Sequence, residues 1–124
     1  MFVKLRLLVF ALLSSYSLLL VVSCNKEDTL VTYDCTGVAP TYTNDIKSII
    51  DASCAKSGCH NATTRAHGLD YSTYAKLKAG TESDNFMGSI QHLSGYDAMP
   101  EDGDKLSDSK IKLISCWIAN GTIE

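Results

Sequence analysis

Apolar positions along the chain form one long run followed by short stripes at helical spacing. The run, Leu7 to Val22, follows Lys4 and Arg6, carries serine among its leucines and valines, meets no further charge until Lys26, and ends at Ser23-Cys24. This is the layout of an export signal. The competing reading is a membrane-spanning helix, for which the run is slightly short. Further on, Ile46, Ile49 and Ile50 recur at i, i+3 and i+4. They predict a helix starting near Thr43, with Thr43 or Asn44 as cap and Asp45 in the first turn. A short helix is predicted over Leu69 to Gly80, capped by Asp70 or Ser72, with Tyr71, Tyr74, Ala75 and Leu77 as a partial stripe and Gly80 as its stop. Another, over Asp84 to Leu93, puts Phe86, Ile90 and Leu93 on one face despite the cost of Gly88 at its middle. The last has Ser107 as cap, Asp108 in the first turn, Ile111, Ile114 and Ile118 as its stripe, and Gly121 as its stop. Its stripe is expected to pack on that of the first helix. Between the helices, Cys35 to Pro40, Asn61 to Gly68 and Gly95 to Lys105 read as loop. No strand alternation and no repeat is found, so the fold class is all-α.

The end of the apolar run refines this picture. Val21-Val22-Ser23-Cys24 resembles a bacterial lipobox, in which the cysteine is acylated and becomes the first mature residue. The expected division is 1–23 as lipoprotein signal peptide, 24–40 as lipidated Cys24, tether and loop, and 41–124 as the folded domain. The 101 residues from Cys24 onward suffice for one modest core. Once Lys4 and Arg6 leave with the signal, nine basic residues face fourteen acidic ones. That balance argues against nucleic acid and suits partners with a basic face. Asn25-Lys26-Glu27-Asp28 is too polar to pack and reads as a tether. It also resembles the signal that sends some lipoproteins to the outer face of the outer membrane. The expected location is extracytoplasmic and lipid-anchored, at the outer membrane, on its periplasmic side or at the cell surface.

The candidate chemistry sits in Cys54-Ala55-Lys56-Ser57-Gly58-Cys59-His60. Two thiols and an imidazole on one short arc are what covalent haem attachment requires, each thiol becoming a thioether and the histidine meeting the iron. Four residues separate the cysteines instead of the usual two, and Ser57-Gly58 can absorb the longer arc because glycine takes positive φ without steric cost. A Cys-x4-Cys pair can also be a small disulfide loop or half of a zinc site. The second candidate is Met99, 39 residues after His60. Pro100 pushes the preceding residue out of the helical region, leaving the thioether free to project towards an iron as its sixth ligand. His67 and His92 are rival ligands, Met87 reads as a core gap-filler, and Trp117 reads as core.

The order of helix, Cys-x4-Cys-His, short helices, Met99-Pro100 loop and a final helix ending Trp117-Ile118-Ala119-Asn120-Gly121 resembles a class I cytochrome c domain of the small bacterial lipoprotein type. The resemblance covers nearly all of the mature domain. It implies a small cytochrome c-like domain of about four helices around one covalently attached haem c, with Cys54 and Cys59 as thioether attachments and His60 and Met99 as axial ligands. It further implies a membrane-anchored carrier of single electrons between redox partner proteins, with no catalytic residues. The chain departs from the pattern in its longer cysteine spacing and in Glu101-Asp102-Gly103 after Met99-Pro100. If Cys24 bears lipid and Cys54 and Cys59 bear haem, only Cys35 and Cys116 remain to pair as a disulfide. The rival functions are a peroxidase-like haem protein with an open distal side, and a disulfide-stapled or zinc-binding extracytoplasmic interaction module.

Overall fold

The computed structural model describes residues 29–83 and 85–124. The export signal, the lipidation site Cys24, the start of the tether and Asp84 lie outside the described residues. Among the described residues the chain is all-helical, with four α-helices and no strand. A π-helical turn, Tyr42–Ile46, runs into α1, Lys47–Ser53; a 3₁₀ turn, Ala66–Gly68, follows; then come α2, Tyr74–Thr81, α3, Asn85–Ile90, and α4, Asp108–Ala119. No described helix is long and apolar enough to cross a membrane.

The first helix starts earlier than its apolar stripe suggests. Thr41 is the cap: its Oγ1 accepts from the Asn44 N–H at 3.3 Å, and the Asp45 carboxylate accepts from the Thr41 N–H at 2.8 Å. This reciprocal pair satisfies amides that an open helix end would leave bare. It also places Tyr42 as the first inward residue, 6% exposed, ahead of Ile46, Ile49 and Ile50. The second helix is shorter than Leu69 to Gly80. Asp70 does not cap it: its carboxylate takes the Ser72 amide and hydroxyl and the Lys76 ammonium, while Thr73 caps. Tyr71 therefore precedes the helix, and Gly80 lies within it. The third ends at Ile90, so Leu93 and His92 lie beyond it. Gly88 at its middle has a packing reason. A Cβ there would stand 2.5 Å from the Tyr96 ring, so only glycine lets that ring lie on the helix.

In α4 the inward stripe is Ile111, Ile114 and Trp117, with Ile118 only partly buried. Ser107 stands at the cap position, but its hydroxyl pairs with that of Ser109 instead of a backbone amide. The core is made where α4 meets the Tyr42–Ile46 turn that leads into α1. Trp117 is fully buried, its ring 6.3 Å from Tyr42 and 6.5 Å from Tyr74. The C-terminal tail closes this end, because the Trp117 indole and the Tyr42 amide both donate to the Ile123 carbonyl and the Tyr74 hydroxyl donates to that of Thr122. A disulfide joins Cys35, ahead of the first helix, to fully buried Cys116 in α4. The segment before Cys35 is held at Val31. Its N–H donates to the side-chain oxygen of buried Gln91 at 2.7 Å, and its carbonyl accepts from the amide nitrogen of the same side chain at 2.9 Å.

Candidate functional site

The arc from Cys54 to His60 is built off the end of α1. The Cys54 and Ala55 amides still donate to the Ile50 carbonyl, both at 2.8 Å, and the His60 amide reaches back to the Cys54 carbonyl at 3.1 Å. Closing the four-residue spacing this way needs a reversal just before Cys59. Gly58 supplies it at φ +83°, its amide on the Thr64 hydroxyl at 3.2 Å. The return limb is pinned as well, with Ala66 N–H on the Cys59 carbonyl and Tyr71 N–H on that of His60. Both thiols are free and partly buried.

His60 is 6% exposed, and its ring lies 4.9 Å from that of Tyr71. Nδ1 stands 3.2 Å from the Ala66 carbonyl, which can only accept, so Nδ1 carries the proton. In the neutral ring Nε2 then holds the lone pair, and it has no hydrogen-bond partner among the described residues. A histidine fixed in this way has the free ring nitrogen that a metal ligand needs.

Cys54, Cys59 and His60 line a cavity of about 400 Å³ together with Tyr71, Phe86, Ile90, Tyr96 and Met99. Met99 reaches it from the loop after α3. The Met99-Pro100 bond is cis, the Met99 amide donates to the Ser89 carbonyl at 3.0 Å, and Met99 packs partly buried against the core. The structure thus brings all four expected ligand and attachment residues to one cavity. His67 is exposed, although it too lines the cavity. His92 is not on a helix face: it follows α3 at φ +56°, and its Nε2 is 2.9 Å from the Met99 carbonyl. Among the described residues no group of three or more His, Cys, Asp or Glu side chains is placed to hold a metal ion. Two contributors escaped the sequence reading. Tyr71, assigned there to a helix stripe, instead stacks on His60, and the Ala66 carbonyl orients the His60 ring.

Burial pushes the Cys54 thiol up to about 11, with the neighbouring Cys59 adding to the shift. Burial likewise raises the Tyr71 hydroxyl to about 12. Since the thiolate is the nucleophile, Cys54 in the chain with both thiols free should alkylate roughly a hundredfold more slowly than free cysteine near neutral pH. Its rate should climb with pH towards about 11. The folded chain keeps this proton to higher pH than the unfolded chain, so stability should fall as pH rises from about 9 towards 11. Mass-resolved alkylation against pH checks this; a Cys54 rate matching that of free cysteine would contradict it.

The Lys76 ammonium, followed by the Ser72 groups, holds the Asp70 carboxyl well below the usual carboxylate range. Arg65 adds a second, longer contact at 3.6 Å. This pairing fixes the loop that carries Tyr71 to the site. No protein-family model, curated protein or solved structure matches this chain, so its geometry stands as the evidence for what it does.

Proposed function

We propose that this is a monohaem c-type cytochrome, lipid-anchored through Cys24 outside the cytoplasm, that carries single electrons between redox partner proteins. The observation that carries the proposal is the meeting of Cys54, Cys59 and His60 with Met99, from a distant loop, around one cavity. Its volume lies within the range of about 300–1,000 Å³ common for ligand sites, and Tyr71, Phe86 and Ile90 give it apolar walls. Haem bound there supplies a one-electron iron couple, its potential raised by histidine and methionine ligation.

The chain's own residues take distinct parts. Cys54 and Cys59 would hold the haem, each by addition of its S–H across a vinyl C=C, which would form one C–S and one C–H bond with no net oxidation. His60 offers Nε2 to the iron while the Ala66 carbonyl keeps its Nδ1 proton. Met99 offers a soft thioether as the second axial ligand. If His60 and Met99 both bind the iron, no position would be left for a substrate, which would favour a carrier over a peroxidase-like protein. Among the described residues Cys54, Cys59 and His60 are joined by no fourth His, Cys, Asp or Glu in an arrangement placed to hold a metal ion, which favours haem over a four-ligand zinc module. The Cys35–Cys116 disulfide is in keeping with an oxidising compartment.

The test is the mass and haem stain of protein exported from a host with haem-attachment machinery. The mature mass should include one haem and an acylated Cys24, and the stain should survive denaturing electrophoresis. Cys54→Ser and Cys59→Ser should each retain one thioether, and the double variant should release haem in denaturant. Wild type without covalent haem, or haem still covalently held in the double variant, would refute the assignment.

A further inference from the structure

We infer that His92 is the positioning residue for Met99, holding the ligand's backbone so that its thioether stays on the cavity; this rests on the reading of Met99 as an iron ligand. Met99 packs partly buried against the core, but it lies in an irregular segment whose neighbours Asp97, Ala98 and Glu101 are exposed, so the backbone around it has little packing support. Its backbone is instead clamped on both sides. The amide donates to the Ser89 carbonyl at 3.0 Å, and the carbonyl accepts from His92 Nε2–H at 2.9 Å. Both holds come from the end of α3. The second is the harder to replace, because the peptide it grips continues into Pro100, whose nitrogen has no hydrogen to donate. The Met99 carbonyl is therefore the only backbone polar group of that peptide.

The backbone at His92 supports the same role. Its φ of +56° takes the chain out of the helix, with the His92 amide on the Ser89 carbonyl and the Leu93 amide on that of Gly88. Glycine or asparagine is the ordinary occupant of such a position, although histidine is among the more tolerant side chains. Here the side chain that bears the strain also spans seven residues to the loop. A thioether is a neutral ligand that must compete with any other donor admitted to the iron, and a ligand held in place by its supporting residues competes better than one on a free loop. Met99 Sγ supplies the bond; His92 acts through the Met99 peptide.

The test uses the ferric holoprotein and added imidazole as competitor. His92→Gly removes the donor and relieves the strained φ; it should keep haem covalently attached but bind imidazole about tenfold more tightly, the worth of one hydrogen bond of ordinary strength. The weak far-red sulfur-to-iron band should fade at a lower temperature than in wild type. His92→Gln and His92→Leu form the second comparison, since both bear the strain and only glutamine offers an N–H. Glutamine should approach wild type and leucine should resemble glycine. Equal imidazole affinity in wild type, His92→Gly and His92→Leu, with Met99→Ala still abolishing the band, would overturn the role of His92 and leave the ligation standing. Met99→Ala with an unchanged band would remove both.

Discussion

Met99→Ala should abolish the weak far-red sulfur-to-iron band of the ferric holoprotein, open the iron to added imidazole or cyanide, and lower the potential. The drop should be on the order of 0.1 V or more, within the span of about 0.8 V over which axial ligands set haem potentials. The direction follows from the ligand. A soft thioether favours the reduced iron, and its replacement by water or hydroxide favours the oxidised form. The loop also gives the thioether no ready substitute. His92, the nearest imidazole in sequence, already spends its Nε2 on the Met99 carbonyl, and His67 is exposed. Spectroelectrochemistry of the two proteins decides the matter: a mutant that keeps both band and potential removes Met99 from the iron, and the bis-histidine and peroxidase-like readings then move ahead.

Cys35→Ala together with Cys116→Ala should be the most costly change to the fold that leaves the cavity residues untouched. The disulfide closes a sequence separation of 81 residues. For loops of this size, restriction of the unfolded chain is worth roughly 4 to 5 kcal/mol as a ceiling, and removal of native disulfides from small exported domains typically costs about 2–5 kcal/mol. The bond fastens the segment ahead of the first helix to the C-terminal part of α4, where Cys116 is fully enclosed beside Trp117. Denaturant titration of wild type and double variant, each with haem attached, gives the difference. A loss below about 1 kcal/mol would mean that the tail contacts of Tyr42, Tyr74 and Trp117 already hold these ends together without it.

What the sequence conveyed well was whatever is local or periodic. Ile46, Ile49 and Ile50, and likewise Ile111 and Ile114, point inward as their spacing requires, and Cys54, Cys59 and His60 are close enough in the chain for their meeting to be read directly. Helix starts were less legible, because several residues compete for each cap. Thr41 prevails over Thr43 through the return bond from Asp45, and Thr73 prevails over Asp70 because Lys76 and Ser72 claim the Asp70 carboxylate first. Trp117 is core as its type suggests, its ring near both Tyr42 and Tyr74, while Ile118, expected on the inward stripe, is only partly buried. In the cavity, the supports of His60 and Met99 were invisible in advance. The Ala66 and Met99 carbonyls are groups that every residue possesses, so nothing in a sequence marks which of them will receive an imidazole N–H.

The grip of Gln91 on Val31 fastens the N-terminal end of the described chain to the domain. On the reading of Cys24 as the lipid carrier, seven chain steps separate it from Val31. Fully stretched they span no more than about 25 Å, less than the roughly 30 Å thickness of a hydrocarbon core. On that reading a redox partner would have to stand on the same membrane surface or diffuse to it. Val31 is held by the residue next to His92, so any pull on the chain ahead of it is borne by the same helix end that holds the Met99 peptide.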